Sequence, residues 1–352
     1  MSSGPTPGRG RGAVTNPPNR FAQLVFEPDP DWDPAQDPAP TTRFLRDSSQ
    51  TVITYNDSPD VGFAASLNPY RGCEHGCAYC YARPTHEYLG FSAGLDFETR
   101  ILVKTDAPEL LRRELASPKW RPQVLALSGV TDPYQPVERR LALTRRCLAV
   151  LAETRNPVGL ITKNYLVTRD VDYLQELARY QAVVVHFSLN SLEAELARQL
   201  EPRAASPPHR LAAIEALARA GIPVGILVAP VIPGLNDHEM PRVLAAAAAA
   251  GATWAAMQLV RLPLGVGPLF EQWLERHEPL KRDKVLHRVR ALRGGKLNDS
   301  RFGVRMKGEG PVAEQLARLF HLARRKAGLG EVGPALSTAA FRRPAGPQLE
   351  LL

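Results

Sequence analysis

Cys73, Cys77 and Cys80 stand in the stretch "RGCEHGCAYCYARPTHEY" (71–88) at C-x3-C-x2-C spacing, and they are three of only four cysteines in 352 residues. Thiolates in such a cluster are soft metal ligands. A structural zinc site takes four protein ligands, usually in two spaced pairs. Here there is one triplet, with His75 and His86 as candidates for a fourth ligand. A four-cysteine ferredoxin site needs another thiol, and Cys147 falls in an amphipathic helical pattern where a buried thiol is the ordinary reading. A [4Fe-4S] cluster held by three cysteines instead leaves one iron open to an outside ligand, and that open position is where chemistry can occur.

The residues that could hold such a loop in place alternate between two patterns. Short apolar runs, "VLALSG" (124–129), "VGLITKN" (158–164), "AVVVHFSLN" (182–190), "PVGILVAPV" (223–231) and "TWAAMQLVRL" (253–262), are each followed by an amphipathic stretch of helical period. Strands alternating with helices form parallel sheets, and continuous apolar runs imply that both sheet faces are covered. With one more strand near "GFAASLN" (62–68), about six β/α units result. They fit an open barrel or a doubly wound sheet, and either builds its site at the C-terminal ends of the strands.

Nine of the 32 prolines lie in residues 1–50, which show no sustained period and read as disordered or loosely draped. Residues 51–265 form the expected core. Residues 266–330 form a basic, mainly helical extension with helical stretches over 268–293, a strand-like "RFGVRM" (301–306) and a last helix over 311–326; 331–352 reads as a loose tail.

At 44% hydrophobic residues, the chain can bury a full core. It contains no apolar run of about 18 residues and its first residues have no apolar h-region, so the expectation is a soluble cytoplasmic protein with no membrane contact. The clustered cysteines do not resemble a disulfide framework. Of the net charge of +8, residues 281–352 alone carry 16 Lys and Arg against 6 Asp and Glu. Such a segment is either a polyanion-binding surface or a solvated helix face.

The spacing C-x3-C-x2-C with Tyr79 before the third cysteine resembles the radical S-adenosylmethionine (SAM) superfamily. The segments "GCEHGCAYCYA", "SGVTDPYQPVE", "ITKN", "HFSLNS" and "LEPRAASPPHRLAAIEALARAGIPVGILVAPVIPGLND" are together similar to its spore photoproduct lyase-like branch, often labelled DNA repair photolyase-related. The resemblance implies an α/β fold, a partial (β/α)6 TIM-type barrel. It further implies an enzyme that holds a [4Fe-4S] cluster on Cys73, Cys77 and Cys80 and reductively cleaves SAM to a 5′-deoxyadenosyl radical. Tyr79 would lie near the adenine, and Thr131, Lys163 and Ser188 would contact SAM.

Glu201 and Arg210 are either an ion pair or a reach toward SAM. Gly225, inside a strand, marks either tight packing or a close approach by adenine. Tyr81 matches a tyrosine linked to hydrogen-atom relay in the lyase. The lyase's hydrogen-donating cysteine, however, is replaced here by Gly129. A nucleic-acid substrate and an electron donor such as flavodoxin or ferredoxin are the expected partners. The competing reading is a non-catalytic zinc- or iron-sulfur-binding module.

Overall fold

The computed structural model describes residues 10–21 and 41–344. In these, the strands in chain order are β1 (Arg43–Arg46), β2 (Ile53–Tyr55), β3 (Ala65–Leu67), β4 (Tyr70–Arg71), β5 (Arg100–Val103), β6 (Leu125–Leu127), β7 (Val158–Thr162), β8 (Val183–Ser188), β9 (Val224–Val231) and β10 (Trp254–Leu259). The main sheet has the order β10-β9-β8-β7-β6-β3-β2. Its six neighbours from β3 to β10 are parallel, and only β2 runs antiparallel, against β3. All six strands read from the apolar runs are therefore present, as an arc whose end strands β2 and β10 do not pair among the described residues. A second small sheet, β1-β5-β4, flanks the cysteine loop.

Strand alternation divides the arc into two faces. On the outer face Val183, Val185 and Phe187 pack with Leu148, Leu151, Leu174, Leu177, Ile214, Leu217, Val243 and Leu244 of the surrounding helices. Each such side chain contributes on the order of 2 kcal/mol by leaving water. The concave face differs from the expected full apolar cover. Gly159, Ile161, His186, Leu227, Ala229, Ala256 and Gln258 point there and keep part of their surface open. Small and polar residues on that side leave a lumen.

Helices Val266–His277, Arg282–Ala291 and Gly310–Lys326 occupy the C-terminal region, as the periodicity predicts. The stretch "RFGVRM" is not a strand: residues 302–307 form turns, with Gly303 at a positive φ of 79°. Residues 331–344 run across the N-terminal ends of the strands. Gly330 bridges Trp254, Ser337 N–H donates to Gln181 O (2.9 Å), and Arg342 N–H donates to Thr154 O (2.7 Å). Of the N-terminal fifty residues, 1–9 and 22–40 lie outside the described set, while 10–21 form a strap against the cysteine loop. No helix among the described residues is long and apolar enough to cross a membrane.

Candidate functional site

The cysteine loop leaves β4 at the C-terminal end of the arc and is pinned from three sides. Cys73 N–H donates to Phe97 O (2.9 Å) and Ala78 N–H to Leu200 O (3.0 Å). From the loop after β6, Gln135 accepts from Glu74 N–H (2.9 Å) and donates to Gly72 O (3.2 Å), while the Glu74 carboxylate accepts from Val137 N–H (2.7 Å). Arg83, fully buried, donates twice to Cys77 O (3.1 and 2.9 Å) and pairs with buried Glu98 at 2.5 Å. Gly72 and Gly76 take positive φ values of 80° and 66°, which a side chain would resist.

The strap lies beneath this loop. Gly12 and Ala13 N–H donate to the two Glu98 oxygens (3.0 and 2.8 Å), and a Cβ on Gly12 would fall 1.6 Å from Gly76 O. Glu98 thus joins strap, loop and Arg83 through one buried carboxylate.

Cys73, Cys77 and Cys80 are all free thiols, the first two buried and the third half-buried. Burial pushes the Cys77 and Cys80 thiols up. Lys163 opposes that rise for both, and Arg83 does so for Cys80. His75 and His86, the candidate fourth ligands, each commit Nε2 to the protein: that of His75 bonds Asn164 Nδ2 (3.2 Å) while its Nδ1 faces Asp132 (3.4 Å), and that of His86 bonds Arg100 O (2.9 Å). Three thiols with cations nearby and no committed fourth protein ligand suit a cluster with one open metal position.

Tyr79, Lys163 and Arg210 converge on one carboxylate, Glu201. Its Oε1 accepts the Tyr79 hydroxyl and lies 3.3 Å from Lys163 Nζ, and its Oε2 pairs with Arg210. Lys163 Nζ also donates to Ser188 Oγ (2.6 Å). Burial pushes the Glu201 carboxyl up, and the charges of Arg210 and Lys163, with hydrogen bonds from Tyr79 and Arg210, more than reverse it, to about 2. One carboxylate against two cations leaves a surplus positive charge, on a lysine at the end of β7.

Not every expected contact faces this cluster. Arg210 commits its guanidinium to protein, donating to Ser188 O (2.9 Å) and Ala205 O (2.7 Å) besides Glu201, so it positions the site rather than reaching a ligand. Thr131 is buried and donates to Tyr70 O (3.4 Å). Its neighbour Asp132 ties the loops together, accepting from Thr162 Oγ1 and Lys163 N–H (both 2.8 Å). Tyr81 lies on the rim, 43% exposed, its hydroxyl donating to Gly129 O at 2.5 Å.

Gly225 is a correction. It sits at the N-terminal end of β9, away from the cysteines, and its missing Cβ is filled by the Trp254 indole, which crosses it to bond His186 (3.1 Å). Gly225→Ala would place a Cβ 2.2 Å from that ring. The expected result is a loss of about 1–3 kcal/mol of stability from overpacking, with SAM affinity unchanged. Thermal melts and SAM titration check both, and weakened SAM binding at an unaltered melting temperature would return Gly225 to the adenine.

Asn190, not among the site residues read from the sequence, lies just past β8, is 1% exposed, and has neither amide atom paired. Buried amides are normally satisfied, so this orphaned pair two residues past Ser188 marks room for a polar ligand. The ending "HFSLN", with polar residues alternating at a strand terminus, was the available signal.

The pinned triplet at the strand ends, beside the Lys163 group, offers three thiols of a type and placement able to hold a metal centre. The radical SAM superfamily model matches residues 67–247, just over half of the chain, and the chain belongs to that superfamily. An uncharacterised protein of Mycobacterium tuberculosis is 41% identical over 219 residues, 62% of this chain and 64% of the relative. The chain thus spans less than two thirds of that relative's length. A radical SAM Nalpha-GlyT isomerase of Pseudomonas phage M6 is 28% identical over 226 residues, 60% of this chain and 45% of the phage protein. A spore photoproduct lyase variant matches in fold with a TM-score of 0.58 at 17% identity, covering 81% of this chain and 80% of its own.

Proposed function

We propose that this protein is an enzyme that holds a [4Fe-4S] cluster on Cys73, Cys77 and Cys80, binds SAM at the open iron and cleaves it reductively to act on a nucleic-acid substrate. The observation that carries this reading is the free thiol triplet on a pinned loop whose own Tyr79 bonds the Glu201 carboxylate that also holds Lys163, itself bonded to Ser188. When bound, the cluster supplies the single electron that splits the SAM sulfonium into methionine and a 5′-deoxyadenosyl radical.

The chain's own residues bind and orient. Lys163, held by Glu201 and Ser188, offers its ammonium to the SAM carboxylate, a point charge on a fixed stem. Ser188 and Asn190 offer hydrogen-bonding groups at the end of β8, and Tyr79 lies beside the adenine. The buried Arg83–Glu98 pair fixes the loop so that water stays out behind the thiols. Tyr81 is the proposed hydrogen-atom relay. Its hydroxyl touches Gly129, the position at which the lyase pattern places a thiol, and Cys147 is buried within a helix. Flavodoxin or ferredoxin is the proposed electron donor, and the cytoplasm the proposed compartment.

The test is 5′-deoxyadenosine formation, followed by chromatography, from anaerobically reconstituted protein given SAM and dithionite, with Cys80→Ala in parallel. The wild type should bind about four irons and form the nucleoside, and the variant should fall to background. A colourless wild type carrying one zinc would remove the proposal.

A further inference from the structure

Among the described residues, Arg261 is an arginine at the barrel mouth without an anionic partner. It lies two residues past β10, where the strand ends form the site. Its Nη1 meets only the Met306 sulfur (3.3 Å), a weak acceptor, and its buried Nε has no hydrogen-bond partner. Burial, and to a lesser degree nearby Arg305, lower its pKa below the usual guanidinium value. A guanidinium in that position is costly unless something completes it.

The surrounding carboxylates are taken. Asp60 accepts from Arg305 Nε (2.5 Å) and Gly303 N–H (2.7 Å), and Arg301 holds Asp299 (2.6 Å) and Glu309 (2.9 Å). Arg293 has no carboxylate either; it donates to Val260 O (3.0 Å) and Val304 O (2.9 Å), stapling the segment before Arg261 to the turn carrying Arg305. Charge at this mouth is therefore positive by construction. Aromatic rings flank it. The Arg261 guanidinium lies 5.1 Å from the Tyr81 ring, and that of Arg305 lies 4.6 Å from Phe302, which is 59% exposed.

We propose that Arg261 anchors a phosphate group of the substrate through its guanidinium, with Tyr81 and Phe302 offering ring faces to an adjacent base. The proposal rests on the reading of the barrel mouth as the active site. An arginine fork receives two oxygens of one phosphate, and stacked aromatics beside a cation are how single-stranded nucleic acid is held. The arginines clustered at the mouth, Arg261, Arg293 and Arg305, favour a polynucleotide diester as the source. A phosphomonoester of a small nucleotide has the same chemistry.

The experiment compares wild type, Arg261→Met and Arg261→Lys as reconstituted full-length proteins. The probes are a fluorescein-labelled 12-mer of single-stranded DNA, read by anisotropy at several salt concentrations, and unlabelled thymidine monophosphate as competitor. SAM titration and thermal melting run beside them. Arg261→Met is expected to weaken the oligonucleotide about tenfold and to lower the slope of log affinity against log salt by about 0.7, with Arg261→Lys in between. Displacement by the monophosphate at concentrations comparable to the oligonucleotide assigns the source to a small phosphate ester; no displacement assigns it to the diester.

Equal binding by wild type and Arg261→Met, or no binding of either probe by wild type, overturns the proposal. So does a loss of SAM affinity in Arg261→Met, which would give this arginine to the cofactor. Failure of the SAM-cleavage reading would look different: no 5′-deoxyadenosine from wild type, whatever Arg261 does to the oligonucleotide.

Discussion

Replacing Glu201 by Gln is expected to destabilise the protein by about 3–5 kcal/mol, because it strands the 1%-exposed Arg210 guanidinium without its counter-charge. For a chain of this size that lowers the melting temperature by on the order of 10 °C. Lys163 loses the carboxylate that fixes it, so SAM affinity should fall with it. Glu201→Asp keeps the charge and should recover part of both losses. The pH dependence follows from the same group. Its folded pKa, about 2, lies below the unfolded carboxyl value of about 4.3. Its contribution is therefore complete above the unfolded value and is lost as pH falls toward about 2. Wild type should approach Glu201→Gln in stability as pH drops below about 4. Melts at pH 7 and in acid check this, and a variant that melts like wild type at pH 7 rules out the buried-pair account.

The second large effect is expected at the strap. Gly12→Val puts a branched side chain where even a Cβ would lie 1.6 Å from Gly76 O. The obstacle is backbone, so the strap must lift, releasing the two N–H groups held by Glu98. The cost is about 1–3 kcal/mol from overpacking, which is a rise in local opening of roughly fivefold to 150-fold. Trypsin cleavage at Arg11 and Arg20 should accelerate accordingly, and the reconstituted cluster should bleach faster in air. Unchanged cleavage at both arginines would mean that the strap is not bound through Gly12.

The six parallel strands were legible because their outer faces need long apolar runs, such as "AVVVHFS", in which alternate residues meet the helices. The cysteine loop was legible from residue type alone. The strap was not: Gly, Pro and Asn give it no period, and its order comes from backbone N–H groups satisfied by a carboxylate more than eighty residues away. "RFGVRM" has strand composition, yet Asp60, Ser58 and Arg293 hold it as turns. Gly225 was read as a place of tight packing or of adenine's approach, and spacing cannot reveal that the ring lying against it belongs to Trp254. Arg210 matched a motif, while its role depends on three acceptors brought together only by folding.

The Trp254 indole lies between Gly225 and Gly333, bonded to His186, and the residues after Gly330 cross beneath it. The lumen is therefore a cup with a solid base rather than a tunnel. On the function proposed above, cofactor and substrate would share one opening, so a substrate docked at Arg261 and Tyr81 would have to depart before nucleoside and methionine could be exchanged, and turnover would be gated by product release.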